Sequence, residues 1–297
     1  MLFLRIFAAW LAMGAVRKEK GANVTRDVRY MFTFGDSYST TGFNISSTKP
    51  DQENPFGNPT FPGVTSSGGY NWLGWLISDY NKKNTNTFVY NFAYPGATVD
   101  RSVIPPSSDN SLTLTDQIGR FTKHLAKKPD YAPWESSNTL AGIWIGINDV
   151  DITYQRQNAS EYIKESVDVC FEQLEVLYDT GIRSFFVLQV PPLDKTPKII
   201  AKSEKPTKKI SEYNKRISEK LESFNSAHED ARTALIDTSA PFNKAIVNPK
   251  MYNATDATCQ NTDGTSCLWC NDFHPGVAIH KLVAYDVNMA LGKGNLW

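Results

Sequence analysis

A chain of 297 residues with 31 basic and 31 acidic side chains carries no net charge, and 41% of it is hydrophobic. That length supports a large core within one α/β domain, and the scattered charge offers no basic stripe to a nucleic acid. Beyond the N-terminus no apolar run approaches membrane-spanning length.

Residues 1–22 read as a signal peptide plus a short N-terminal segment, and residues 23–297 as the folded domain. Leu2 to Val16 is apolar apart from Arg5 and ends in the small residues Ala12, Gly14 and Ala15, as in a secretory leader. Arg5 interrupts the run, and the Arg17–Lys20 charge cluster follows it instead of preceding it; an uncleaved anchor and a misassigned start codon are the alternatives. Four glycosylation sequons (Asn23-Val24-Thr25, Asn44-Ile45-Ser46, Asn158-Ala159-Ser160 and Asn253-Ala254-Thr255) point to a secreted protein. So do the clustered Cys259, Cys267 and Cys270, which suggest one local disulfide from Cys259 to Cys267 or Cys270, with Cys170 apart.

The first strand is expected over Val28–Phe34, an apolar aromatic run that breaks at Gly35-Asp36-Ser37. A serine at the end of a strand, with a helical turn opening behind it, stands at the rim of a sheet among unpaired backbone N–H groups. A nucleophile needs that arrangement, because its own N–H helps bind the oxyanion it creates; the bland reading is an ordinary helix cap. Residues 44–69, rich in Pro, Gly, Asn and Ser, form a long irregular loop of the kind that flanks substrate sites. Tyr70–Tyr80 follows as an amphipathic helix whose Trp72 and Trp75 share a face, better explained by core packing than by sugar stacking.

Phe88–Phe92 is the second strand, closed by the turn Ala93–Thr98, which contains Gly96; Leu114–Lys127 is helical. Leu140–Ile147 is a nearly all-apolar third strand, covered on both faces, which exits at Asn148-Asp149. A helix over Glu161–Tyr178, a strand over Ser184–Val190, a lysine-rich stretch over Lys195–Lys209 read as a solvated face, and a polar helix to about His228 come next. Thr233–Asp237 is the fifth strand, and a last helix begins near Gly276. Strands separated by helical crossovers make a parallel sheet, and ligands bind outside the carboxyl ends of its strands.

Of four histidines, His124, His228 and His280 fall in helical segments and suit surface or packing roles. His274 lies in Cys270-Asn271-Asp272-Phe273-His274-Pro275-Gly276, a polar turn suited to a general base. Gly96 can bring a backbone N–H close to a ligand, and Asn148 can offer an amide N–H₂. Alternatively these are an ordinary Pro-Gly turn and an ordinary strand exit. Cys259, Cys267, Cys270 and His274 could also be read as a Cys₃His zinc site, which an oxidising compartment disfavours.

Gly35-Asp36-Ser37, Gly96, Gly146-Ile147-Asn148-Asp149 and His274-Pro275 together resemble the sequence blocks of the SGNH (GDSL-type) esterases and acylhydrolases. The likeness runs from about Tyr30 to Tyr285; Phe32–Gly42 and Val190–Asp194 are most similar to the fungal acetylesterases of carbohydrate esterase family 16. It implies a three-layer α/β/α sandwich on a five-stranded parallel flavodoxin-like sheet, Ser37 as nucleophile, His274 as base, and an oxyanion hole from Ser37, Gly96 and Asn148. It also implies removal of acetyl groups from small plant-wall oligosaccharides or short-chain esters; with the export signals above, the expected protein is a secreted monomer that needs no cofactor or metal and does not insert in a membrane. A lipase or lysophospholipase, or a catalytically impaired glycan-binding homologue, are the alternatives. In the family an aspartate usually stands three residues before the histidine, where this chain has Asn271; Asp272 follows it. Either Asp272 or Asn271 orients His274.

Overall fold

The computed structural model describes residues 27–80 and 85–296. The leader segment and the Asn23 sequon lie outside them. Five parallel strands form one sheet in the order β2-β1-β3-β4-β5: β1 Asp27–Gly35, β2 Thr85–Asn91, β3 Thr139–Trp144, β4 Ser184–Leu188 and β5 Arg232–Ile236. β3 and β4 are buried along their whole length, as the apolar runs require of strands covered on both faces. β5, at one edge, is exposed at Arg232 and half-buried at Thr233, Ala234 and Leu235.

The helices are α1 Trp72–Tyr80, α2 Leu114–His124, α3 Ile147–Thr153, α4 Ala159–Asp179, the single turn α5 Pro197–Ile200, α6 Thr207–Ala227, α7 Ser239–Val247 and α8 Val277–Lys293. α8 packs on α1 and α7, while α4 packs on α2, α3 and α6, so helices lie in two layers around the sheet. Phe32 and Phe34 of β1 meet Phe121 of α2 at ring-centroid distances of 4.9 and 5.9 Å. Trp72 of α1 packs on Trp144 and Phe186 at 6.2 and 5.9 Å. Each such buried aromatic contributes on the order of 1.5–3 kcal/mol of apolar burial. Trp72 is thus a core residue. Trp75 packs against the core less deeply, with the Lys281 ammonium 4.2 Å from its ring centroid.

Two expectations change. The third strand stops at Trp144 instead of Ile147, because Gly146 takes φ 112° and starts α3. A Cβ at Gly146 would sit 2.5 Å from the Tyr213 ring, so only glycine fits there. Asn148 and Asp149 therefore lie in the first turn of a helix. The loop between β5 and the last helix also contains α7, whose Phe242 and Ala245 are buried.

Candidate active site

The Ser37 corner is built by the end of β1. After Gly35 the chain turns once, with Ser39 N and Thr40 N both donating to the Asp36 carbonyl at 3.1 and 3.0 Å. Buried amides hold this corner. Gln117 of α2 donates to Gly35 O at 2.8 Å and accepts from Gly35 N at 2.9 Å. Asn91 donates to Ser39 O at 2.7 Å, and Asn71 donates to Ser39 O and Thr40 O at 3.0 and 2.9 Å. The next turn is placed by the ladder running past the end of β2: Phe92 N and Tyr94 N donate to Thr33 O and Gly35 O at 2.8 and 3.0 Å. That registers Gly96 beside Ser37. Gly96 takes φ +74°, and a Cβ there would lie 1.8 Å from Ser107 Oγ.

α3 brings up Asn148, whose Nδ2 donates to Ala97 O at 2.8 Å and so fixes the amide plane. Asp149, fully buried, accepts from Val99 N at 3.1 Å and from Ser166 Oγ at 2.7 Å, fastening the segment after Gly96 to α4. Burial pushes the Asp149 carboxyl up to about 6. Asp36, also buried, is pushed up to about 7, by burial first and Asp149 second, against the hydrogen bond from Tyr38 N.

His274 arrives from the other end of the chain. Its Nε2 lies 2.8 Å from Ser37 Oγ, and its Nδ1 lies 3.0 Å from Asn271 Oδ1. The Phe273 and His274 backbone N–H groups donate to that same Asn271 atom at 2.9 and 2.8 Å, which identifies it as the amide oxygen. A backbone-anchored acceptor at Nδ1 selects the tautomer that leaves Nε2 free to take a proton. Of the two orienters expected, Asn271 makes the contact. The Asp272 carboxylate acts on the ring only through its charge: burial draws the imidazole down to about 4, Asp272 opposes this, and Lys198 adds to it. The cause is local geometry. The Asx turn at Asn271 points its own side chain back at residues 273 and 274.

The histidine loop is tied down piece by piece. Cys259 and Cys267 form a disulfide, which takes those two sulfurs out of any Cys₃His zinc set. The Cys270 and Cys170 thiols are buried. Lys198 N donates to Asp272 O at 2.8 Å, and the Tyr38 hydroxyl donates to Phe273 O at 2.5 Å. Tyr38 is buried beside Ser37, with its ring 5.6 Å from that of His274. Sequence reasoning missed Tyr38, although its place next to Ser37 was a signal. Lys198 departs from the solvated face expected of the lysine-rich stretch: its Nζ pairs with Asp151 Oδ2 at 2.5 Å and lines the crevice. The other histidines are elsewhere or packed. His228 bonds Glu175 at 2.7 Å, and His280 is buried against Tyr38.

Ser37, Gly96, Asn148 and His274 thus line one crevice of about 420 Å³ at the carboxyl ends of β1, β2 and β3. A hydroxyl on an imidazole, beside a glycine turn and a side-chain amide, is the equipment of acyl transfer. The family model for the GDSL-like lipase/acylhydrolases matches residues 31–287. The chain belongs to that family. An acetylesterase of Thermothelomyces thermophilus is 43% identical over 279 residues, covering 90% of this chain and 92% of the relative. An acetylesterase of Hypocrea jecorina is 28% identical over 172 residues, covering 54% and 48%. Among solved structures, a catalytic mutant of an acetylxylan esterase from Geobacillus stearothermophilus shares the fold with a TM-score of 0.54 at 17% identity, covering 89% of this chain and 94% of that one. This GDSL-family chain is a carboxylic ester hydrolase with a single-domain α/β fold.

Proposed function

We propose that the protein is a secreted acetylesterase acting on small acetylated plant-wall oligosaccharides through a serine acyl-enzyme. The observation that carries the mechanism is the 2.8 Å contact between Ser37 Oγ and His274 Nε2, made by residues from opposite ends of the chain. Ser37 Oγ attacks the ester carbonyl while Nε2 takes its proton. The oxyanion is received by the Ser37 and Gly96 N–H groups and the Asn148 amide. His274 then gives its proton to the leaving alcohol, the acetyl group stays on Ser37, and water activated by His274 releases acetate. Side chains and backbone of this chain handle every proton and electron pair. Asn271 holds the imidazole without countering the charge it acquires, so turnover is expected below that of an enzyme with a carboxylate there.

The named activities of the fungal relatives support the acetyl substrate. Secretion is supported by the disulfide and by the exposed asparagines of the described sequons, Asn44, Asn158 and Asn253. The test is hydrolysis of 4-nitrophenyl acetate with labelling by a serine-reactive phosphonate. Wild type is expected to turn over the ester and become labelled at Ser37, and Ser37→Ala to lose both. A Ser37→Ala protein that keeps most of its rate overturns the mechanism. The neutral contact at Nδ1 favours one second reading, an impaired glycan-binding homologue, which predicts neither turnover nor labelling.

A further inference from the structure

The crevice continues past the catalytic residues. Ser66, Pro95, Gly96 and Ser107 wall both the catalytic compartment and a larger neighbour of about 630 Å³. Phe43 and Tyr94 then wall both that neighbour and a third compartment of about 560 Å³. The three compartments thus adjoin in sequence through shared wall residues, with Ser37 in the first.

No charged side chain lines the middle compartment. Its walls combine two aromatic rings, an exposed Val64 and the short polar side chains of Ser66, Ser107, Ser108 and Asn110. Phe43 is anchored on the core by edge contacts to Tyr90 and Phe92, each at 5.8 Å; Tyr94 is 36% exposed. We propose that this middle compartment is a distal subsite for uncharged sugar residues of an acetylated oligosaccharide, with Tyr94 as its specificity-determining residue. The proposal rests on the ester-hydrolase reading of Ser37 and extends it to what lies beyond the ester.

Three physical points select a neutral sugar chain. A pyranose has apolar C–H faces and a hydroxyl rim, matching aromatic rings bordered by short hydroxyl and amide groups. An alkyl chain in the same space would desolvate those polar groups without pairing them, which is unfavourable. An acetyl group is far too small to need a second compartment, and a third in line suits an oligomer better than a single ring. The cations of that third compartment, Arg120 and Lys123, repel a cationic sugar there.

The deciding experiment separates the groove from the chemistry. Ser37→Ala protein is titrated with unacetylated xylotetraose, and wild type is assayed on acetylated xylotetraose, 4-nitrophenyl acetate and 4-nitrophenyl octanoate. Tyr94→Ala is expected to weaken tetraose binding about tenfold and to raise KM for the acetylated tetraose by a similar factor beyond any change with 4-nitrophenyl acetate. Val64→Trp, which fills the groove from the 64–66 loop, is expected to act alike, so the conclusion does not rest on one variant's folding. Absence of tetraose binding, or binding indifferent to both substitutions, overturns the subsite, as does an effect of Tyr94→Ala confined to the octanoate. Wild type inert on every ester would instead sink the esterase reading, while the titration would still report on the groove.

Discussion

Ser37 and His274 meet across 2.8 Å, yet the segments that carry them are built by different means. Ser37 stands on the end of a central strand, and the chain around it is gripped by the buried amides of Gln117, Asn91 and Asn71. His274 stands on the long loop between α7 and α8, outside any strand of the sheet. That loop is held by the Cys259–Cys267 disulfide and by donors borrowed from elsewhere, Tyr38 and Lys198. Ser37 is thus positioned by the fold itself, and His274, its proposed base, by a few discrete ties that can be cut one at a time. Changes near Ser37 should strike the transition state, and changes around His274 should grade the activity.

The sharpest break of that contrast is Asn148→Ala. Losing one oxyanion donor is expected to lower kcat by about 10²–10³ with little change in KM, read by steady-state kinetics on 4-nitrophenyl acetate. On the base side, Asn271→Asp should raise kcat by about tenfold, by giving the imidazolium a counter-charge. The pH profile checks the cause. With the His274 imidazole drawn down to about 4 it is neutral, and able to accept a proton, at all pH above that. The acid limb of kcat/KM therefore sits near pH 4 in wild type. A carboxylate at residue 271 favours the charged ring, raises its pKa and moves the limb to higher pH. An unmoved limb would show that Asn271 does not face the working imidazole.

Tyr38→Phe, which strands the Phe273 carbonyl, should cost about 1 kcal/mol of stability and lower kcat several-fold at constant KM; denaturant melts and kinetics together separate the two. Smallest for catalysis is Cys259→Ser. Opening a loop of sequence separation 8 should lower stability by about 2–3 kcal/mol, seen as a reduced Tm, with phosphonate labelling of Ser37 nearly unchanged at 25 °C.

The same contrast explains what could be read from the chain beforehand. All five strands and the serine at the end of the first announced themselves, because each is an apolar or β-branched run that ends in residues which break it, and the central β3 and β4 are apolar throughout because both faces are covered. The polar groups that hold the corner did not. Gln117 and Asn91 look like ordinary surface or loop residues until the fold brings Gly35 and Ser39 to them. Nor could composition decide between Asn271 and Asp272, since the choice is made by one Asx turn. Lys198 was hidden differently: its neighbours in the lysine-rich stretch are mostly solvated, and only its reach to Asp151 sets it apart. α3 was masked by the apolar run that feeds it, which reads as strand until Gly146 reverses its sense.

The Tyr38 hydroxyl reaches the carbonyl of a residue 235 positions away, after all five strands have been laid down. A chain synthesised only through β5 holds every strand of the sheet and still lacks His274. The hydrolysis proposed above therefore needs the segment that carries His274 as well as the finished scaffold.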